Sequence, residues 1–352
     1  RYWGTPLPIW ICDDPHCLAQ QAVGSMAELE ELAGEAVEDP HRPFVDELTW
    51  ACGRHGCTGT MRRTPEVADA WFDSGAMPFA QWHYPFENKE KVERELPADF
   101  ISEAVDQTRG WFYTLLAVST MLKGKPAYRS CVSLDLILDG AGKKMSKSRG
   151  NVVDPFEMID KYGADVVRWH LLVRPLGTPL RYEERDLGEI RNRVFGTLLN
   201  VYAFFATYAN VDGYTGDDEV PLHERPVFDR WLVSRLHGLF RDVAKDLESY
   251  DTAHAGQRIA DFVVEDLSNW YVRRNRRRFF RAELTQDKRS GYQTLHGALL
   301  ATAQLAAPLI PFVTDARYRT LTEGLDGARC FLGSTQKLIR HCCGCAGSHA
   351  RR

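Results

Sequence analysis

From residue 191 onward one pattern dominates the chain: apolar residues recur every three or four positions through four long segments, 191–210, 227–250, 253–280 and 291–305. In the third, Ile259, Phe262, Val263, Leu267, Trp270 and Tyr271 fall on one stripe. Asp212-Gly213 and Thr215-Gly216-Asp217-Asp218 break the first segment from the second, and Pro308 and Pro311 close the fourth. Helices this long on short connectors can bury their stripes only against one another. Residues 191–321 are therefore expected to be an all-α helical bundle, with a domain boundary near residue 190.

Upstream the period changes. Residues 107–122 read as a helix with Trp111, Leu115 and Met121 among its apolar positions, and the alternation of Val132, Leu134, Leu136 and Leu138 reads as a strand. Asp139-Gly140-Ala141-Gly142 is a turn, and Asp154-Pro155 is an N-cap followed by proline at the first helical position. Helix, strand, loop and helix in that order predict an α/β nucleotide-binding layout over residues 1–190. The chain has 352 residues, 44% of them hydrophobic and 26% charged, an ordinary globular composition with room for two or three domains. No run of 18 apolar residues is evident, so no membrane partner is expected. With 44 basic against 48 acidic residues the net charge is −4, so only a local basic cluster can announce a nucleic-acid partner.

Such a cluster lies at Arg273, Arg274, Arg276, Arg277, Arg278 and Arg281, with Trp270, Tyr271, Phe279 and Phe280 among them. Guanidinium groups and aromatic rings suit phosphates and unpaired bases. Arginines on every side of a helix cannot all face RNA, however, and Asp261, Glu265 and Asp266 are available as partners for part of the run.

The nine cysteines are uneven. Cys12 and Cys17 are separated by four residues, as are Cys52 and Cys57, with 34 residues between the pairs. Two close thiol pairs across a loop suit a tetrahedral Cys₄ zinc site, closed and hence structural, and His16 and His55 stand near as alternative ligands. The alternative is four reduced structural thiols, and the ligand count and spacing favour zinc. An odd cysteine count argues against a disulfide framework and for a reducing cytoplasm. Cys330, Cys342, Cys343 and Cys345 crowd an atypical tail, 322–352.

Residues 144–151, Lys-Met-Ser-Lys-Ser-Arg-Gly-Asn, follow the strand and glycine turn. Two ammonium groups and several N–H donors in one short loop can surround a polyphosphate, although by charge alone a solvated basic loop serves equally well.

The order of those residues resembles the signature loop of class I aminoacyl-tRNA synthetases. Three further segments resemble the isoleucine-type members: Trp71-Phe72-Asp73-Ser74-Gly75-Ala76-Met77-Pro78, Asp106-Gln107-Thr108-Arg109-Gly110-Trp111-Phe112-Tyr113, and Asp266-Leu267-Ser268-Asn269-Trp270-Tyr271-Val272-Arg273-Arg274. The resemblance runs from Arg1 to about Leu321. It implies the C-terminal half of a Rossmann-like catalytic domain with a zinc knuckle at 12–57, followed by an anticodon-binding bundle. It implies isoleucine, ATP with Mg²⁺, and tRNA(Ile) as partners, and a monomeric enzyme when complete. Lys144 and Lys147 are expected to act on the ATP phosphates, with Asp106, Gln107, Ser146 and Ser148 also at the nucleotide. Trp71, Glu103, Gln107 and Trp111 are expected to shape the amino-acid pocket, and Arg273, Arg274 and Arg277 to meet tRNA. Trp71 and Trp111 suit core packing as well as pocket walls, and Glu103 and Asp106 suit a solvated helix start.

Two features depart from the family. The His-Ile-Gly-His-type motif that completes the ATP site has no match here. An apolar pocket separates ligands differing by one methylene by only about 1–3 kcal/mol, a limit established on isoleucine enzymes themselves, so such enzymes carry a second, hydrolytic site; no stretch here resembles it. The chain is thus expected to be an incomplete portion, inactive alone. The competing expectation is a non-catalytic tRNA- or partner-binding protein built from the same domains.

Overall fold

The computed structural model describes residues 3–216 and 219–323. It divides into two compact units, the first ending at Ser133 and the second beginning at Leu134.

The first unit opens with a four-stranded antiparallel sheet in the order β2-β1-β4-β3, where β1 is Ile9–Cys12, β2 Gln20–Ala22, β3 Trp50–Ala51 and β4 Thr60–Arg63. Alternation turns Trp10 and Cys12 of β1 and Met61 of β4 inward, where they meet Val23, Leu29, Val45 and Leu48. The Trp10 indole donates to the Leu48 carbonyl at 2.9 Å and its ring centroid lies 4.9 Å from that of Trp50. Helix Met26–Ala33 covers this core. Ser25 accepts from the Glu28 N–H while the Glu28 carboxylate accepts from the Gly24 N–H, and Gly34 ends the helix at φ 75°.

Further along, helices Ala70–Ala80 and Trp111–Lys123 pack at backbone distance: a Cβ on Gly75 would stand 2.8 Å from the Thr114 main chain. Phe79, Val92, Leu96, Leu115, Val118 and Ala127 form the core here. The expected 107–122 helix is shorter. Residues Val105–Arg109 wind as a 3₁₀ turn, and Gly110 at φ −134°, ψ −112° separates them from the α-helix that begins at Trp111.

The expected strand 132–138 proves to be two pieces: Tyr128–Leu134, which belongs to the first unit except for its last residue, and Ile137–Leu138 in the second unit, which pairs in parallel with Leu180–Arg181. Asp135 accounts for the break, since its carboxylate turns back to accept the Leu136 N–H at 2.6 Å. Asp154 caps helix Pro155–Tyr162 as the sequence predicts, accepting from the Phe156 N–H.

The first and fourth bundle helices are longer than the sequence suggests, and the second, Val227–Glu248, is slightly shorter. Helix Glu184–Val211 starts about two turns before residue 191, and Gln286–Ala306 begins at the Thr285 cap. Pro311 opens a fifth helix, Pro311–Glu323, rather than only closing the fourth. One 18-residue window of Glu184–Val211 reaches a mean hydropathy of 1.3, which corrects the expectation that no segment has membrane-like length and composition. Its Leu187, Val194, Leu198, Val201 and Phe205 are buried in the shared core with Leu232, Val243, Ile259, Leu267 and Leu295. The 252–279 helix contains an i→i+5 stretch, Phe262–Val272. That wider turn shifts the phase of the apolar stripe, so Tyr271 is fully buried while Trp270 is 45% exposed.

Candidate functional site

The four cysteines converge. Cys12 ends β1, Cys52 follows β3, and all four sulfurs lie within 4.8 Å of one another, with Cys12–Cys57 at 3.5 Å and Cys17–Cys52 at 3.8 Å. Tetrahedral thiolates about 2.3 Å from a zinc ion stand about 3.8 Å apart, so the donor set fits a metal of that class. Cys52 donates its N–H to the Gly59 carbonyl and Gly59 its own to the Cys57 sulfur, and a Cβ on Gly59 would fall 2.5 Å from the Cys12 sulfur. Gly59 is therefore a requirement of the cluster that the cysteine spacing did not reveal. The Gly59 N–H works to lower the Cys57 pKa, yet desolvation and the neighbouring thiols carry it up to about 12. Cys17, helped first by an N–H bond from Ala19, falls to about 7. A bound cation would favour the ionised form of all four crowded thiols. His16 and His55 are exposed and stand outside the cluster.

Elsewhere in the first unit, Trp71, Gln107 and Trp111 gather around Gly110. A Cβ on Gly110 would meet the Gln107 carboxamide oxygen at 2.8 Å and the Trp71 ring at 2.9 Å. The Gln107 oxygen accepts the Trp111 main-chain N–H at 3.0 Å, and the Trp111 indole donates to the Ser74 carbonyl at 3.1 Å, on the helix that carries Trp71. Trp71 itself is 46% exposed. Gln107 thus caps the helix and, through its amide nitrogen, holds Asp106 at 3.2 Å. Glu103, at the end of strand Ala98–Ala104, is exposed, as is Asp106. The result is a half-open indole surface edged by an amide and the Asp106 carboxylate.

In the second unit the 143–151 loop is built around Asp139 and Asn151, which the sequence reading left without a role. Asp139 accepts the Ala141 and Lys143 N–H groups at 3.0 and 2.8 Å. The Asn151 amide donates to Asp139 at 2.8 Å while its oxygen accepts the Ser146 N–H at 2.9 Å. The Asn151 bond, with the Lys143 N–H second, holds the Asp139 carboxyl below the usual carboxylate range. A 3₁₀ turn, Lys147–Arg149, ends at Gly150 with φ 65°. Ser146 and Ser148 hydroxyls lie 3.3 Å apart. Lys144 and Lys147 are exposed, and among the described residues neither ammonium group has an ion-pair or hydrogen-bond partner. Two uncommitted cations on a fixed backbone are what binding a polyphosphate requires.

The arginine run divides. Arg278 is buried against Asp229, which also accepts from Tyr271 and Ser290. Arg273, Arg274, Arg276, Arg277 and Arg281 are exposed, and the Arg274 guanidinium lies 4.7 Å from the centre of the exposed Trp270 ring. The cysteines of the 322–352 tail lie outside the described residues.

Residues 1–183 match the family model described as tRNA synthetases class I (I, L, M and V), and residues 229–337 match the anticodon-binding domain of tRNA ligase. The chain is 48% identical over 329 residues to an isoleucine--tRNA ligase of Clostridium acetobutylicum, covering 93% of this chain and 31% of the relative. It is 47% identical over 329 residues to the Thermus thermophilus enzyme of that name, covering 92% and 31%. The chain therefore spans about 31% of the length of these relatives. Among solved structures, an Agrobacterium radiobacter LeuRS in ternary complex with tRNA and LeuAMS superposes with a TM-score of 0.65 at 20% identity, covering 91% of this chain and 40% of that one. A Mycobacterium tuberculosis methionyl-tRNA synthetase superposes at 0.63 and 20% identity, covering 79% and 53%. At that identity the likeness is one of fold.

Proposed function

Since the chain belongs to the class I tRNA synthetases (I, L, M and V) and carries their anticodon-binding domain, we propose that it is a segment of an isoleucine-specific enzyme that activates isoleucine with ATP and transfers it to tRNA(Ile). The observation that carries this reading is the identity of 47–48% to isoleucine--tRNA ligases along 92–93% of the chain. The relatives extend far beyond the matched region, so we assign catalysis to the whole enzyme, a cytoplasmic monomer, and not to this portion alone.

Each group of residues has a part in that reaction. The amino-acid carboxylate is itself the nucleophile, so the protein contributes mainly position and charge. Lys144 and Lys147, with Ser146 and Ser148 beside them, hold the triphosphate and offset charge on the departing pyrophosphate, and Mg²⁺ shares that work. Trp71 and Trp111 offer flat apolar surface to a branched aliphatic side chain, Gln107 keeps Trp111 in place, and Glu103 and Asp106 meet the ammonium group and the ribose. The division of labour falls near residue 190. Residues 1–190 serve activation and 191–321 bind tRNA through Arg273, Arg274 and Arg277. The four cysteines hold a structural zinc ion, which supplies cross-linking of the knuckle and no chemistry.

Amino-acid-dependent ATP–pyrophosphate exchange by the whole enzyme tests this reading. Isoleucine is expected to support exchange and leucine and methionine not; a preference for leucine, methionine or valine overturns the assigned substrate.

A further inference from the structure

We propose that Asp139 and Asn151 are the positioning pair of the 143–151 loop, a side-chain clasp that fixes the backbone before any phosphate arrives and so leaves Lys144 and Lys147 without internal partners. This rests on the reading of the loop as a phosphate site only for what the clasp is for; the clasp itself stands on its own geometry.

The loop is otherwise poorly held. Between strand Ile137–Leu138 and helix Pro155–Tyr162 its regular structure is one 3₁₀ turn and one isolated bridge from Leu138 to Lys144. Six exposed or half-exposed cationic and hydroxyl side chains lie there, and the mutual repulsion of the four cationic ones opposes a compact loop. One carboxamide counters this at three points. Asn151 takes the Ser146 N–H at 2.9 Å, gives an N–H to Asp139 at 2.8 Å, and reaches the Lys144 carbonyl at 3.4 Å. Asp139 in turn organises the entry turn through the Ala141 and Lys143 N–H groups. The two residues are 12 apart in sequence, so the bond between them closes the whole loop, and its entropy cost is met once, in the unliganded state, instead of at each binding event. Apart from a long bond from Arg149 to the Lys144 carbonyl at 3.5 Å, the side chains that answer this backbone are neutral or acidic, and neither Lys144 nor Lys147 is drawn into the internal network.

Donor and acceptor roles make the clasp directional, and this supplies the test. In Asn151→Asp two carboxylates face each other across the bond. In Asp139→Asn two amide NH₂ groups do so. The double exchange, Asp139→Asn with Asn151→Asp, reverses the bond, keeps the Ser146, Ala141 and Lys143 contacts, and leaves the net charge unchanged. Trypsin cleavage after Lys143, Lys144, Lys147 or Arg149 reads the opening of the loop, since cleavage of a locally open state follows its population. Each single variant of this chain is expected to be cut in the loop about tenfold faster than the parent chain, as expected for the loss of a partnered polar contact, and the double variant at close to the parent rate. Loop cleavage that is no faster in the single variants, or that stays fast in the double, overturns the clasp. Cleavage elsewhere in the chain shows whether a single variant has unfolded generally, and rescue by the double variant decides the matter in that case too. A second arm adds MgATP to the whole enzyme, in which the ATP site is complete. Slower loop cleavage supports the phosphate role of the lysines, whereas an unchanged rate counts against that role and leaves the clasp to the exchange experiment.

Discussion

Arg278 and Asp229 meet as a buried two-pronged ion pair, Nη1 to Oδ1 and Nη2 to Oδ2 both at 2.7 Å. Asp229 sits in the first turn of helix Val227–Glu248 and has no exposed surface. Burying two charges is costly, and the pair is stable here because its remaining sites are filled: Tyr271 donates to Asp229 at 2.6 Å, Ser290 donates as well, and Arg278 donates Nε to the Asp287 carbonyl at 2.8 Å. Within a basic run that looks uniform, this arginine serves the bundle.

Removing one partner leaves the other charge stranded. Asp229→Ala is therefore expected to lower the stability of the helical unit by about 3–5 kcal/mol, measured as a shift in its urea midpoint followed by circular dichroism. A shift under about 1 kcal/mol, the scale of an exposed pair, contradicts a structural role for the network.

The exposed arginines should behave oppositely. Replacing Arg273, Arg274 and Arg277 with Gln is expected to leave the urea midpoint almost unchanged and to weaken tRNA binding. The slope of log K against log salt should fall by about 2–3 if each contacts one phosphate. Binding measured between low and physiological salt checks this, and an unchanged slope reassigns those residues to the fold or to another partner.

What the sequence made legible depended on how local each signal was. The bundle was readable because its stripes repeat at helical period over many turns. The error at Trp270 came from an i→i+5 stretch that periodicity alone does not report. The cysteine cluster was visible as two pairs, and contact between Cys12 and Cys57, 45 residues apart, follows from the antiparallel pairing of β1 with β4. The loop lysines stood out as a motif. Asp139 and Asn151 did not, because an aspartate in a turn and an asparagine after glycine are ordinary residues whose importance appears only when their side chains meet. Asp229 was equally silent, since nothing in its surroundings marks it as the partner of an arginine 49 residues away.

Metal binding offers a third test. The chain is expected to hold about one zinc ion in the 12–57 knuckle, counted by elemental analysis after metal repletion. Cys17→Ser should reduce the content. Gly59→Ala should do so too without touching a ligand, because the added methyl would fall 2.5 Å from the Cys12 sulfur. Chelation should change tryptophan fluorescence, as Trp10 and Trp50 share one core with the four cysteines. A chain that holds no metal, or a Gly59→Ala variant with full content, argues for four reduced thiols instead.

The most direct test of the loop is Lys147→Ala in the whole enzyme. If its ammonium group offsets charge that develops on the departing pyrophosphate, its effect belongs to the transition state more than to the ground state. Isoleucine-dependent exchange should then fall about 10²–10³-fold in turnover, the usual cost of losing one preorganised charge donor. The KM for isoleucine should stay nearly constant, because the residues assigned to the side chain, Trp71, Gln107 and Trp111, are untouched. Lys147→Arg keeps the charge but moves it and spreads it over a planar fork, so an intermediate loss is expected. Lys144→Ala should show a smaller loss in turnover with a larger rise in the KM for ATP, if it holds phosphate without following the leaving group. Exchange that survives Lys147→Ala at full rate removes the loop from catalysis, whereas a loss confined to KM for ATP places Lys147 in ground-state binding alone.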